Sequence, residues 1–248
     1  MKIGIISDIH SNILALEEVL KKFETENIDK IICLGDVIGI GPYPEKCIQK
    51  LIGIQKNIIS YVNGNHEGYL LNGIPKTNHN EKNGRLLTEE EKSTHKWNHN
   101  RLNNEQVGFI KKLKSKDVLN IGDNKIVIEH YPTDLNQNHK KFYNIPNEDI
   151  LEELFEEKDA NIFLFGHTHT AYYKVMNSKY FINPGSLGCP SNTSCASVGV
   201  LEIDKKSINY KNIQVEYDVK KVIDDIRTLN YPLSDFMIKR FYKSEDKN

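Results

Sequence analysis

The first 62 residues alternate short β-branched runs with amphipathic stretches, and that alternation permits few folds. Residues 2–7 (KIGIIS), 30–34 (KIICL) and 57–62 (NIISYV) are short and largely apolar, as strands buried on both faces are. Between the first two, NILALEEVLKKF sets Ile13, Leu16, Leu20 and Phe23 on one helical face. Between the second and third, GDVIGIGPYP leads into EKCIQKLI, with Pro44 suited to a first helical turn. Strand–helix–strand repeats of this kind predict right-handed crossovers and a parallel sheet.

Downstream the pattern changes. Residues 69–116 are polar and helical in character, with helices predicted over 88–100 and 104–114, and they read as an excursion from the sheet. It is expected to serve as a lid, a substrate wall or a dimer face, so a homodimer is among the assemblies it allows. The sheet resumes at KIVIEH (125–130); EDILEELFEE follows Asn147 as a capped helix, and NIFLF (161–165) is the next strand. AYYKVM, KYFIN, SVGVLEI and SINYKNIQVEY read as consecutive strands on short turns, an antiparallel portion. The tail, 218–248, reads as two helices separated by Pro232. The 248 residues suit one α/β domain spanning 1–248.

Charge and cysteine usage narrow the function. With 33 Lys+Arg against 34 Asp+Glu, the chain lacks the basic excess of a polyanion binder, so nucleic acid is disfavoured as a partner. The cluster KKLKSK (111–116) reads as a solvated helix end. Four cysteines without CxxC spacing exclude a zinc knuckle, and Cys33 inside IICL reads as core. The N-terminal apolar run is broken by Asp8, and no run approaches the ~18 residues of a membrane span. A reduced, soluble, cytoplasmic protein is expected.

The strand ends carry the chemistry. The first stops at Asp8 and His10, the second at Asp36, and the third at Asn65 and His66. The 125–130 strand stops at His130, and NIFLF stops at His167 and His169. Open α/β sheets build their sites outside the carboxyl ends of strands. Five of nine histidines stand at these ends, whereas His79, His95, His99 and His139 lie in polar sequence and read as surface residues. Imidazoles and carboxylates without thiolate suit Mn²⁺, Zn²⁺ or Fe. Seven ligands (Asp8, His10, Asp36, Asn65, His130, His167 and His169) are too many for one tetrahedral zinc. They suit two divalent ions sharing a bridging carboxylate, the arrangement that clamps a phosphoryl displacement.

The ordered series DIH, GD, GNHE, a strand-terminal His and GHTH resembles the calcineurin-like metallophosphoesterase superfamily. GDVIGIGPYP, FINPGSLGCP and VEYDVKKVIDDI extend the resemblance to its small bacterial and archaeal, phosphodiesterase-type members over nearly the whole chain. The resemblance implies a four-layer α/β/β/α sandwich with two mixed β-sheets. It implies a first metal on Asp8, His10 and His169, a second on Asn65, His130 and His167, and Asp36 as the bridge. Mn²⁺ is foremost, with Zn²⁺, Fe or Ni²⁺ as alternatives. His66 would be the outer-sphere acid, and a metal-activated water would attack a phosphodiester, phosphomonoester or dinucleoside polyphosphate.

Two positions depart from the pattern of the superfamily's protein phosphatases, GDxxDRG. Gly39 stands where that pattern has the Asp that pairs with the catalytic His, and Ile40 replaces the phosphate-binding Arg. Tyr131 replaces a Gly often found after the strand-terminal His and is expected to shape substrate access. Tyr43 in GIGPYP is a further candidate contact, and the resemblance places Asn183 and Ser186 of the NPGS turn near the metals. Alternatives are a nuclease on the same metals, which would want a basic groove, and a scaffold that kept the fold and lost catalysis.

Overall fold

The computed structural model describes residues 1–77, 85–134, 139–190, 195–205 and 207–242. In chain order the first half comprises β1 (Lys2–Ile6), α1 (Ile13–Thr25), β2 (Lys30–Cys33), α2 (Pro44–Gly53), β3 (Ile58–Tyr61), α3 (Asn65–Asn72), α4 (Glu89–His99), α5 (Asn104–Ile110), β4 (Lys116–Ile121) and β5 (Asn124–Glu129). The second half comprises α6 (Glu148–Leu154), β6 (Ile162–Leu164), β7 (Tyr172–Met176), β8 (Lys179–Asn183), β9 (Ala196–Ile203), β10 (Ile208–Val215), α7 (Val219–Thr228) and α8 (Ser234–Phe241).

The strands form two mixed five-stranded sheets, ordered β10-β9-β1-β2-β3 and β4-β5-β6-β8-β7. β1, β2 and β3 run parallel, as the alternating sequence requires, and so do β5, β6 and β8. The inner faces meet in one apolar layer, with Ile3, Ile5, Ile32 and Leu34 against Ile126, Ile128, Ile162 and Leu164. The outer face of the first sheet is covered by α1 and α2 through Ile13, Leu16, Cys47, Ile48 and Leu51. The outer face of the second is covered by α6, whose Leu151 and Leu154 pack with Phe163 and Phe181. This is the helix–sheet–sheet–helix layering expected, with both sheets covered on both faces. α1 buries Ile13, Leu16 and Phe23 as the periodicity indicates, with Asn12 Oδ1 capping it from Ala15 N at 3.1 Å. Asn147 caps α6 in the same way through Ile150 N.

Three expectations need correction. The run after NIFLF pairs antiparallel as expected within β7–β8 and β9–β10, but these hairpins lie in different sheets, β8 and β9 are not joined by a short turn, and β9 crosses back to pair antiparallel with β1. The excursion ends in β4, which pairs antiparallel with β5 through the turn at Gly122. β4 escaped a sequence reading because none of its side chains is fully buried and only Leu119 and Ile121 pack on the inner apolar layer, so its alternation is weak. α3 begins at Asn65 itself, immediately after the third strand end. The tail helices α7 and α8 form a further apolar cluster, Val222, Ile226, Tyr231, Met237, Ile238 and Tyr242, against which Ile40 and Trp97 pack. His79 and residues 243–248 lie outside the described residues. Among the described residues no helix is long and apolar enough to cross a membrane.

Candidate metal centre

The parallel strands of both sheets deliver their carboxyl ends to one edge, and all seven predicted ligands meet there. The chain reaches this arrangement through unusual backbone. Asp8, His10, Asp36, His167 and His169 have φ of 52°, 46°, 50°, 69° and 58°, the left-handed region that disfavours residues with a Cβ. Each such residue costs about 1–3 kcal/mol and persists only where surrounding contacts over-determine it. Those contacts are present: His10 N donates to Asp36 O at 2.9 Å, Ser11 N to Val37 O at 2.7 Å and Gly188 N to Asp8 O at 2.9 Å. Gly166 is needed for proximity rather than for an unusual dihedral, since a Cβ there would stand 2.0 Å from Ser7 Oγ and 2.8 Å from Asp8 Oδ2.

Two groups of donors share Asp36. In the first, His10 Nε2 lies 2.9 Å from His169 Nε2, and these nitrogens lie 3.7 and 3.4 Å from Asp8 Oδ1. His10 Nε2 is also 3.9 Å from Asp36 Oδ2. In the second, His130 Nε2 lies 3.2 Å from that same Asp36 Oδ2 and 3.2 Å from Asn65 Oδ1. His167 Nδ1 lies 2.8 Å from Asn65 Oδ1 and 3.3 Å from His130 Nε2.

The outward-facing atoms fix what the inward-facing ones can do. The Nδ1 atoms of His10, His130 and His169 face the carbonyls of Ile38, Leu34 and Cys189 at 3.3, 2.8 and 3.1 Å. A carbonyl requires an N–H, so each Nδ1 carries hydrogen and each Nε2 of the neutral ring turns a lone pair inward. The carboxylates are arranged alike. Asp8 Oδ2 accepts from Ser7 Oγ and His167 N, and Asp36 Oδ1 accepts from His66 N at 2.8 Å. That leaves Asp8 Oδ1 buried with no hydrogen-bond partner among the described residues. Asp8 and Asp36 are 0% and 2% exposed, and their described ion-pair partners are histidines. A buried carboxylate oxygen without a hydrogen bond, beside a second buried carboxylate and inward-facing imidazole nitrogens, is a donor set that fits divalent cations.

The electrostatics agree. Burial would raise Asp8, but His169, His130 and His10 outweigh it and hold the carboxyl well below its ordinary range. Asp36 is likewise lowered against burial, by His130 first. Burial, reinforced by His169, lowers His10 to about 3, and burial with His130 pushes His167 well down. His130 goes the other way: burial opposes its charge, but Asp36 and Asp8 raise it to about 9. The carboxylates that hold this proton would hold a cation in its place, so metal binding and protonation compete here.

Around the donors stand residues whose part was not evident from the sequence. Glu67 is fully buried, and its carboxylate accepts from the backbone N–H groups of Asp36, Val37, Ile38 and Gly64 at 2.8–3.1 Å. It thereby ties the Asp36 loop to the start of α3. Burial, helped by Asp36, pushes its carboxyl up to about 7 against the pull of these N–H groups. His95 and His99 are not surface residues. α4 turns both inward, with the His95 ring 5.3 Å from that of His66 and 6.4 Å from that of His99. Burial lowers them to about 3 and 4. His139 is solvent-exposed as expected, yet its ring stacks 5.4 Å from that of His167. Asn98, fully buried on α4, accepts from Gly39 N at 3.0 Å and Ser11 Oγ at 2.8 Å, and donates to Tyr231 Oη at 3.0 Å. The spacing 94, 95, 98, 99 marks one helical face, but a wholly polar face reads as solvated.

A cavity of about 590 Å³ opens over the donors, lined by His10, Asp36, Asn65, His66, His167 and His169 and walled by Ile40, Phe142, Pro190, Arg240 and Phe241. The four expected substrate contacts do not line it. Tyr131 is buried, its hydroxyl donating to Lys141 O and accepting from Tyr143 N, with its ring 5.5 Å from that of His167. Asn183 Nδ2 donates to Gly166 O at 2.8 Å and Thr168 Oγ1 at 3.1 Å, and Ser186 Oγ to Asp8 O at 2.8 Å. Both therefore hold ligand loops from behind. Tyr43 precedes α2 and packs on the core, under Lys46.

Comparisons with known proteins bear on this site. Residues 1–206 match the calcineurin-like phosphoesterase superfamily domain. An uncharacterized protein of Methanocaldococcus jannaschii is 29% identical over 239 residues, covering 90% of this chain and 91% of that protein. A phosphodiesterase of the same archaeon is 24% identical over 216 residues, covering 87% of this chain and 100% of its own. Among solved structures, a metallophosphoesterase from Sphaerobacter thermophilus superposes with a TM-score of 0.72 at 25% identity, covering 97% of this chain and 98% of that one. A hypothetical protein from Pyrococcus horikoshii OT3 superposes with a TM-score of 0.80 at 22% identity, covering 98% and 99%.

Proposed function

The chain belongs to the calcineurin-like phosphoesterase superfamily, and from that premise we propose that it is a phosphoric ester hydrolase working on two divalent cations. The observation that carries the reading is the shared Asp36 Oδ2, 3.9 Å from His10 Nε2 on one side and 3.2 Å from His130 Nε2 on the other. Asp8, His10 and His169 would hold one cation, Asn65, His130 and His167 the other, and Asp36 both. Mn²⁺ is the first choice, with Zn²⁺, Fe or Ni²⁺ as alternatives, because nitrogen and oxygen donors accept all of these. Two such cations supply acidity to a water and charge neutralisation at phosphorus.

The remaining work falls to the chain. Asp36 and Asn65 fix the spacing of the two ion positions. His66, with a ring nitrogen close to the inward atoms of His10 and Asp36, donates the proton that the leaving alkoxide takes. Burial lowers its pKa, so the protonated form that donates is the minor one at neutral pH and gains as pH falls. Phe142 and Phe241 exclude bulk water from one side of the cavity. The substrate is a small phosphate ester such as a diester, a monoester or a dinucleoside polyphosphate. Among the described residues Arg240 is the one Lys or Arg lining the cavity, which is little for a nuclease groove. Cys33, Cys47 and Cys189 are buried free thiols, as a reducing cytoplasm would leave them.

The test is hydrolysis of bis(p-nitrophenyl) phosphate by protein loaded with Mn²⁺, with metal content measured in parallel. Asp36→Asn is expected to lose metal and activity together. His66→Ala is expected to keep its metal and lose about 10²–10⁴-fold in rate. Normal turnover by His66→Ala would remove the acid assignment. Tight metal binding with no hydrolysis of any phosphate ester would point to a scaffold.

A further inference from the structure

We infer that the C-terminal helix supplies the anion-recognition group of this site: Arg240 binds a second phosphate of the substrate, so the natural ester carries a phosphate besides the one that is cleaved. The inference rests on the phosphoesterase reading and names its substrate class. The loop after Asp36, Val37-Ile-Gly-Ile-Gly41, contains no cation. Its Ile40 instead packs into the apolar cluster of α7 and α8, beside Met237, Ile238 and Tyr242. A Cβ on Gly41 would stand 3.0 Å from Tyr242 Oη, so the tail sits directly on the loop. That docking carries Arg240 and Phe241 to the cavity wall.

Arg240 is exposed, and among the described residues it takes part in no ion pair. No other Lys or Arg among the described residues lines the cavity. A guanidinium at the wall of a phosphoester cavity, without a carboxylate partner among the described residues, is suited to a forked contact with a phosphate. The donors of the metal centre would take the scissile phosphate, and Arg240 stands apart from them on the tail. Phe142, Pro190 and Phe241 add apolar wall on which a planar group can lie.

The test is calorimetric titration of the full chain, loaded with Mn²⁺, with AMP and with ADP, which share a base and differ by one phosphate. Wild type is expected to bind ADP more tightly than AMP by about tenfold or more, the effect of one charge-assisted hydrogen-bond pair. Arg240→Gln should collapse that ratio, and Arg240→Lys should restore part of it. Because Arg240 is exposed, the variants should fold, which circular dichroism checks. Three results would overturn the inference: no preference for ADP in wild type, a ratio unchanged in Arg240→Gln, or equal weakening of AMP and ADP, which would put Arg240 on the scissile phosphate. Hydrolysis of bis(p-nitrophenyl) phosphate by the same wild-type preparation reads the phosphoesterase function separately.

Discussion

His66 shows how one residue's place depends on what its neighbour lacks. A Cβ on Gly39 would stand 2.1 Å from His66 Nδ1, and Gly39 has φ of +88°. The imidazole occupies the space that a side chain at position 39 would take. Gly39→Asp therefore does not restore the pairing seen in GDxxDRG phosphatases. It should displace His66 and lower turnover by at least about tenfold while metal content stays at the wild-type level, as elemental analysis would show. Glu67 offers a second test. In Glu67→Gln an amide NH₂ would face backbone N–H groups, at a cost of about 3 kcal/mol, readable in chemical denaturation. The seven donors were readable in the sequence because each follows an apolar strand within a few residues. Glu67 was in plain view within GNHE, but a carboxylate's burial and its four N–H donors have no local signature.

At the scale of elements, α4 carries the most consequence. Its first turn is secured by a capping box, Thr88 with Glu91, and Arg85 pairs with Glu91. Its other end inserts Asn98 between the Asp36 loop and the tail. Asn98→Ala would leave Gly39 N, Ser11 Oγ and Tyr231 Oη without this partner, costing about 2–4 kcal/mol in a denaturant titration. The cap predicts a pH dependence as well. Arg85, with the Thr88 cap, lowers Glu91 from 4.5 to about 2 against partial burial. A carboxyl lowered by folding contributes stability above its unfolded pKa and loses it as pH falls through the folded one. Amide protection in α4, taken relative to the intrinsic exchange rate at each pH, should thus be high at pH 5 and fall progressively towards pH 2. The periodicity around 88–100 was enough to place this helix. Its inward face was not recoverable, because Thr94, His95, Asn98 and His99 are polar and face polar groups of the site.

At the scale of the molecule, the centre straddles two sheets. Asp8, His10, Asp36 and Asn65 follow strands of one, and His130, His167 and His169 follow strands of the other, so the layer between them sets the distance between donors. Ile128→Ala, in that layer and two residues before His130, should cost about 2–5 kcal/mol and weaken metal affinity, measurable by competition with a chelator. Strand and helix alternation was enough for a parallel sheet, whereas the four layers followed from the family resemblance that the strand-end motifs carry. The return of β9 to β1 was not, since nothing in SVGVLEI says which sheet it joins.

That return governs how the protein is made. β1 is made well before its second neighbour, which arrives roughly 200 residues later, when Leu201 meets Ile3. Until then a nascent chain holding β1, β2 and β3 presents an apolar strand with an unpaired edge, a template for neighbouring polypeptides. Leu187 and Gly188, which fasten Ser7 and Asp8, also arrive late. Assembly of the donor set thereby waits for these later residues, and a chain released before them has an edge to aggregate through before its site is built.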